Sequence, residues 1–349
     1  MASSVVGVDI SGTSLRAVEL SGASKPQPTL LRFHEVSLPE GAVSRGEVLE
    51  AHTVGAALKL LWSEGGFKSK NVVLGIGNQR VLARDLSVPR ATLKHIRESL
   101  PFQVQDMLPV PVADALLDFY PISESEGDSG PVINGLLIAA VKDAVLGNVS
   151  AVQDAGLTTV EVDLIPFALS RVLISRAHLP GTVALVDVGS NTTTVVIAVD
   201  GVPQFVRIIP AGGDDLTQAL KSGLEIGTDE AERLKRTLGL ATQVASVEEH
   251  RAVEIVYAVT SELLSSLRNT LSYFSNTRPQ EPVRQIVLTG GGTQLIGFAK
   301  ALTDMTHIPA AEADPFESIS VAHSVKADAL HQSRIAMTVA LGLALGSAA

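Results

Sequence analysis

Two short stretches of this chain carry an acid, glycine and hydroxyl residues at the end of an apolar run. The first is Asp9-Ile10-Ser11-Gly12-Thr13-Ser14 and the second is Asp187-Val188-Gly189-Ser190-Asn191-Thr192. A tight turn of this composition points backbone N–H groups outward, and with the hydroxyls of Ser11, Thr13, Ser14, Ser190 and Thr192 such groups can cradle phosphate oxygens. An aspartate at the strand end, Asp9 or Asp187, can face a phosphate-bound Mg2+ through water. Each stretch by itself also reads as an ordinary Asx-type hairpin turn. The pair says more than either turn, because two such loops facing each other clamp a polyphosphate from both sides.

Three further features lie downstream. Pro210-Ala211-Gly212-Gly213-Asp214 ends a strand and opens a helix. Gly212 and Gly213 allow close backbone approach there, and a helix start favours an anion, although a plain strand-to-helix connection has the same composition. Gly290-Gly291-Gly292-Thr293 follows a Val/Ile/Leu strand. Three residues without side chains make either a flexible turn or a flat bed for a ring or a ribose. Glu232 and Lys235 stand three apart in a helical stretch, hence on one face, as a solvated pair or as hydrogen-bond partners for ribose and base. The eight histidines are scattered and show no HExxH spacing. Neither GxSxG nor GxxxxGK[ST] occurs, so a hydrolase triad has no support and a phosphate site must be of another kind than the P-loop.

Such residues need two strand–turn–strand units to position them. Residues 5–10, 15–20 and 29–38 read as a three-stranded meander whose tight turn follows Asp9. Residues 183–188, 192–199 and 202–209 repeat the design, with Asp187 in the same place and Asp200-Gly201 as a hairpin turn. A repeat at half-chain spacing predicts two related lobes facing each other. Between the units, residues 51–63 predict an amphipathic helix and residues 71–77 a buried strand. Residues 84–157 differ in character. They hold a helix from Thr92 that Pro101 should break or kink, a proline-marked stretch at 108–112, strands at 116–122 and 135–141 around a polar tip at 123–130, and a helix at 142–155. This reads as a small αβ subdomain inserted in the first lobe. A helix over 163–177 brings the chain back. In the second lobe, residues 214–223, 228–238 and 248–276 predict helices, the last with Val253, Val256, Leu263, Leu264, Leu267, Leu271 and Phe274 on one buried face. Residues 283–289 form a strand running into the glycine triplet, a helix follows, and a final helix over 334–345 packs back across the lobes.

The composition agrees with this plan. A chain of 349 residues is long enough for two lobes, and 46% hydrophobic against 18% charged residues is too apolar for general disorder. Aromatics are only 4%, so the cores must be built from Val, Leu, Ile and Ala. A net charge of −10 without a dense Lys/Arg block argues against a nucleic-acid role. The absence of cysteine removes disulfides and cysteine-ligated metal and fits a cytoplasmic protein. The N-terminus enters a strand directly, without the pattern of a signal peptide. No stretch reaches the ~18–20 apolar residues of a spanning helix, so any membrane link is expected through a partner.

Taken in order, VGVDISGTSLRAVEL, VALVDVGSNTTTVVIAVDG, IIPAGGDDL, DEAERLK and IVLTGGGTQLIGFAKAL resemble the actin-like ATPases. Within them the chain is most similar to the PilM family of type IV pilus assembly, relatives of the cell-division protein FtsA. IRESLPFQVQDMLPVPVADALLDFY and the C-terminal VALGLALG extend the resemblance along almost the whole chain. The resemblance implies an α/β, two-lobed actin-like (ribonuclease H-like) ATPase fold with an FtsA-like inserted αβ subdomain. Lobe I would span residues 1–83, the insert 84–157, a return to lobe I 158–181, lobe II 182–333 with its own insertion at about 214–282, and a C-terminal helix on lobe I 334–349. It further implies ATP with Mg2+ in the cleft. The contacts would come from Ser11, Gly12, Thr13, Ser14, Arg16, Gly189, Ser190, Asn191, Thr192, Gly212, Gly213, Glu232, Lys235, Gly290, Gly291, Gly292 and Thr293, with Asp9 and Asp187 facing the metal. Members of the family bind the short N-terminal cytoplasmic peptide of PilN, a bitopic inner-membrane protein, in a groove near the insert. The resemblance therefore implies such a partner and a place at the inner face of the cell membrane.

Two departures from the family pattern matter. Its first loop usually reads DIGSSS followed by Lys, whereas here Ser11 stands at the Gly position and Arg16 at the Lys position. Arg keeps the charge without the compact geometry. FtsA-type proteins end in a basic amphipathic helix, whereas this chain ends in Leu345-Gly346-Ser347-Ala348-Ala349. The expected function is a scaffold whose ATP-bound shape controls a peptide groove, with hydrolysis slow or absent. The alternatives are a small-molecule kinase or exopolyphosphatase-type phosphatase, and an FtsA-like polymerising protein.

Overall fold

The computed structural model describes residues 4–128, 130–241 and 243–346. β1 (Ser4–Ile10), β2 (Ser14–Ser21) and β3 (Thr29–Ser37) form the antiparallel meander. A small hairpin of β4 (Val43–Ser44) and β5 (Glu47–Val48) leads to α1 (Ala51–Gly65). β6 (Asn71–Ile76) then returns parallel to β1. Alternation along β1 sends Val6, Val8 and Ile10 to the side where Val54, Leu58 and Leu61 of α1 are buried. Gly7 points the other way.

The inserted segment is a three-stranded sheet with one helix. β7 (Val81–Pro89) begins ahead of residue 84, the boundary expected from composition. α2 (Leu93–Gln103), β8 (Ala115–Gly127) and β9 (Gly130–Val141) follow, with sheet order β7-β9-β8. Pro101 lies inside α2 and does not break it. The proline sits in the last turn, so it removes one hydrogen bond where the helix is ending anyway, and Val104 N–H closes the turn on the Leu100 carbonyl at 3.1 Å. The polar stretch expected as a loop tip is mostly strand, paired out to Gly127 opposite Gly130. Its polar side chains bond across the sheet, with Asn134 donating to Ser125 Oγ at 2.9 Å and Ser87 to Asn134 Oδ1 at 2.6 Å. Ile96 and Leu100 of α2 bury against Val88, Phe119 and Leu137.

α3 (Lys142–Asp154) packs on α1 and leads to β10 (Thr158–Leu164), which pairs parallel with β6. The helix expected from residue 163 is therefore shorter. The β-branched run Thr158-Thr159-Val160 favours the strand, and α4 (Ile165–Ser170) starts with Pro166 in its first turn before a π-helical turn over Arg171–Ser175.

The second sheet repeats the first. β11 (Thr182–Val188), β12 (Thr193–Val199) and β13 (Val202–Ile209) form its meander. α5 (Gly213–Leu224), α6 (Thr228–Leu238) and α7 (Val247–Thr277) follow. β14 (Gln285–Thr289) pairs parallel with β11, and α8 (Phe298–Thr306) and β15 (Ala310–Glu312) complete the layer in the order β13-β12-β11-β14-β15. β16 (Ser320–Val321) crosses back to the first sheet, whose order is β10-β6-β1-β2-β3-β16. After α9 (Ala327–Ser333) the chain turns at residues 334–337, so the last helix, α10 (Thr338–Gly346), starts four residues later than expected. α10 lies against β1, β2, β6 and α4. Its Met337 neighbour, Leu341 and Ala344 share one core with Val18 and Leu20 of the first sheet and Val183 and Leu185 of the second.

Candidate functional site

The β1–β2 register places Asp9 opposite Arg16, and β2–β3 places Arg16 opposite Glu35. The side chains follow: Arg16 Nη1 meets Asp9 Oδ2 at 3.3 Å and Nε meets Glu35 Oε1 at 2.9 Å. Asp9 is buried, and burial pushes its pKa up while Arg16 pulls it back. The turn between the strands is closed by Ser11 N–H on the Ser14 carbonyl at 3.0 Å and by Ser14 N–H on Ser11 Oγ at 3.2 Å. Thr13 is exposed at the tip and Gly12 stands beside it.

The second loop is built alike. Gly189 N–H closes on the Thr192 carbonyl at 2.9 Å. The carbonyls of Gly189 and Ser190 accept the first N–H groups of α5, from Gly213 at 2.9 Å and Asp214 at 2.8 Å. Loop and helix start therefore form one unit, reinforced by Asn191 Nδ2 on Asp214 Oδ2 at 2.8 Å. The Asp187 carboxyl is pushed up to about 7, chiefly by burial, then by the charge of Asp9, with Arg16 opposing. The two acids from the two sheets thus share one electrostatic space. The loop tips themselves touch, since a Cβ added to Gly12 would fall 1.9 Å from Asn191 Oδ1.

Glu232 and Lys235 are not a solvated surface pair. Lys235 Nζ donates to Glu232 Oε1 at 2.6 Å, to Thr217 Oγ1 at 2.7 Å and to the Gly213 carbonyl at 3.1 Å. Burial pushes Glu232 up, but the bonds from Lys235 and Thr217 outweigh it and hold the carboxyl below its ordinary value. α6 is thereby tied to the first turn of α5. The glycine triplet approaches the second loop from the other side. Gly290 has φ +88°, and a Cβ there would lie 2.5 Å from the Val188 carbonyl oxygen and 2.6 Å from Asp187 Oδ1. Thr293 closes the triplet by donating from Oγ1 to the Gly290 carbonyl at 2.8 Å. A cavity of about 370 Å³ lies behind this corner, walled by Val188, Gly212, Leu216, Thr260, Gly292 and Phe298.

The structure brings the residues singled out in the sequence to one region between the sheets. Gly12 of the first loop meets Asn191 and Ser190 of the second at the loop tips, and Ser11 and Ser14 close the first loop behind it. Gly189, Ser190, Gly212 and Gly213 are joined by backbone bonds, Glu232 and Lys235 attach through Thr217, and Gly290–Thr293 close on Asp187 and Val188. Thr192 and Gly291 belong to the same loops. Sequence reasoning did not pick out Thr217, Asp214 or Glu35 for the site. The spacing of Asp214 from Thr217, three apart at a helix start, was the available signal for the first two. Among the described residues no group of three or more His, Asp or Glu is placed to hold a metal ion by itself. Nor is any helix among them long and apolar enough to cross a membrane.

Comparison with known proteins gives the geometry a context. The model of the family described as type IV pilus assembly protein PilM matches residues 7–348. A solved "PilM-PilN type IV pilus biogenesis complex" superposes with a TM-score of 0.86 at 28% identity, covering 99% of this chain and 98% of that one. MreB 5 of Spiroplasma citri bound to AMPPNP, at 11% identity and a TM-score of 0.53, covers 89% of this chain and 91% of that one and shares the fold. Among curated sequences, cell division protein FtsA of Bacillus subtilis (strain 168) is 22% identical over 312 residues, 77% of this chain and 70% of that protein. FtsA of Pseudomonas aeruginosa is 23% identical over 347 residues, 87% of this chain and 81% of that protein. The fold is a two-lobed actin-like α/β fold, and with a family match running from residue 7 to residue 348 the chain belongs to the PilM family of type IV pilus assembly proteins.

Proposed function

We propose that this chain is an ATP-binding, actin-like scaffold of type IV pilus assembly that takes the N-terminal cytoplasmic peptide of a PilN-like inner-membrane protein as its partner. The observation that carries the partner is the near-complete superposition, at 28% identity, on a PilM chain solved with PilN. What supports the nucleotide is the corner described above. Gly12, Gly212 and Gly290 let the two loops and the glycine triplet approach one another more closely than a Cβ would allow, and two acids, Asp9 and Asp187, face a single guanidinium. That charge imbalance fits a divalent cation brought in on a phosphate.

In this reading Ser11–Ser14 and Gly189–Thr192 hold the phosphates, with Arg16 beside them. Asp9 and Asp187 face Mg2+, while Glu232, Lys235 and Gly290–Thr293 hold ribose and base. The nucleotide supplies the charge that holds the two loops, and so the two lobes, in one arrangement. The peptide then gains affinity only to the extent that it prefers that arrangement. The lobe, insert and C-terminal helix boundaries given above are the rigid parts such a switch would move.

The test is a titration of the full chain with a synthetic PilN-type N-terminal peptide, with and without Mg-ATP. Tighter binding in Mg-ATP is the expected result. A peptide that binds in neither condition removes the scaffold, and rapid phosphoryl transfer to a small metabolite would replace it with an enzyme.

A further inference from the structure

The cavity of about 370 Å³ lies on the far side of α5 from Glu232 and Lys235. Gly213 and Thr217, four residues apart on one face of α5, meet Lys235. Asp215 stands two residues from each, so it falls on the opposite side of the helix, and there it lines the cavity with Leu216. α7 supplies the facing wall through Val259, Thr260, Glu262 and Leu263. The deep surfaces are apolar, made by the buried side chains of Val188, Leu216, Leu295 and Phe298.

Thr260 is the exception on the inner wall. It is 2% exposed, and its hydroxyl has no hydrogen-bond partner. Other threonines of α7 bond back to the carbonyl four residues earlier, Thr270 to Ser266 at 2.8 Å and Thr277 to Tyr273 at 3.0 Å. Thr260 leaves that bond unmade beside an open space, and a buried hydroxyl without a partner keeps its full desolvation cost. Water is a poor remedy, because an ordered water needs about two to four polar partners and the deep walls are aliphatic and aromatic. The mouth has a different character. Asp215 and Glu262 are exposed and put two carboxylates there, and among the described residues no Lys, Arg or His lines the cavity. We propose that this cavity is a ligand site separate from the loop corner, and that it takes a small aromatic amine. The ring lies against the apolar walls, the ammonium group meets Asp215 and Glu262, and a hydroxyl on the inner edge of the ring partners Thr260. A volume of about 370 Å³ is in the range of small-ligand pockets. The site stands whether or not the corner holds a nucleotide.

The probe is tyramine, titrated into the full chain by calorimetry beside phenethylamine, which lacks the ring hydroxyl, and para-hydroxyphenylacetate, which carries a carboxylate in place of the ammonium group. Tyramine should saturate, bind about fivefold tighter than phenethylamine and bind about tenfold or more tighter than the acid. T260V keeps the shape of the wall and removes the hydroxyl. It should make the two amines equal and raise the melting temperature of the ligand-free chain, since the unpartnered group is gone. Asp215 already accepts the Gly212 N–H at 2.8 Å, so the charge is tested at Glu262 instead. E262Q should narrow the gap between tyramine and the acid by about threefold. Absence of saturable tyramine binding overturns the site. So does a tyramine preference that survives T260V, a fall in melting temperature in that variant, or binding of the acid as tight as that of the amine. Complete displacement of tyramine by Mg-ATP would place the probe in the loop corner and overturn the site as a separate one, while leaving the nucleotide reading intact.

Discussion

Asp187 shows how burial and charge together shift a carboxyl where the two sheets meet. Its carboxyl is pushed up from an ordinary 3.8 to about 7, first by desolvation and then by Asp9. The folded chain therefore keeps a proton that the unfolded chain gives up. The stabilisation this provides is complete below the ordinary value and is lost as pH rises through about 7. Asp187→Asn should flatten that part of the pH–stability curve and make the nucleotide-free protein more stable than the parent at pH ~8.5. Thermal unfolding from pH ~5 to ~8.5 reads it directly, and parallel curves for the two proteins would refute the electrostatic account. Mg-ATP binding should run the other way in the parent, tightening as pH rises and the carboxylate becomes free for the metal. Arg16 belongs to the same account. The departure from the family Lys places a guanidinium across the strand pair from Asp9, where it also reaches Glu35. Residues 9 and 16 are equidistant from the turn, so that pairing was readable from the hairpin itself once the turn was located.

At the scale of elements, α10 is held by contact rather than by propensity. A Cβ on Gly342 would lie 2.2 Å from the Ala168 carbonyl oxygen of α4, and one on Gly7 of β1 2.1 Å from the Ala340 carbonyl oxygen. Arg171 adds a polar tie, with Nη1 on Asp163 Oδ2 at 2.9 Å and on the Gly342 carbonyl at 2.7 Å. Gly342→Ala removes a helix-weakening glycine, which favours the variant by roughly 1 kcal/mol. The backbone has no flexible neighbour to give way, so overpacking at ~1–3 kcal/mol should win and the melting temperature should fall. A rise in melting temperature would show that α4 and α10 separate easily. The elements missed in the sequence have the same character. β16 is a two-residue edge strand of the first sheet, a strand because β3 offers it a ladder, while β10 at the other edge has the β-branched residues of a strand and is completed by its ladder to β6. Pro101 misled in the opposite sense, since its cost depends on how much helix remains beyond it.

For the whole molecule, the question is how the insert is joined to lobe II. Tyr120 of β8 packs against Phe167 of α4 with the rings tilted and 4.7 Å between centroids, which anchors the insert on lobe I. Toward lobe II it faces an open cleft of about 550 Å³. Across that cleft Arg278, at the end of α7, reaches both Asp85 carboxyl oxygens at 3.3 Å and Gln204 Oε1 at 2.8 Å. Asp85 is 69% exposed, so the pair contributes at most ~1 kcal/mol. Arg278→Ala should therefore change the melting temperature little while speeding hydrogen exchange in β7 and β13, the strands that face each other there. Unchanged exchange would mean the insert is positioned by Tyr120 and Phe167 without the arginine.

The sequence by itself determined the repeat. Strand-forming runs that end in an acid, a glycine and hydroxyls fold locally as hairpins, and nothing distant is needed to place Asp9 and Asp187 at their turns. The long helices α6 and α7 were legible for the same reason, as periodicity is a local property. Tertiary structure alone decided what those turns face. That Asn191 touches Gly12 and that Asp9 raises the pKa of Asp187 both depend on two sheets meeting, and that Lys235 is spent on Thr217 and the Gly213 carbonyl depends on α6 packing on α5 within the second lobe. The contacts between the sheets join residues more than a hundred positions apart, and the energies of all of them depend on burial and distance, which no spacing along the chain encodes.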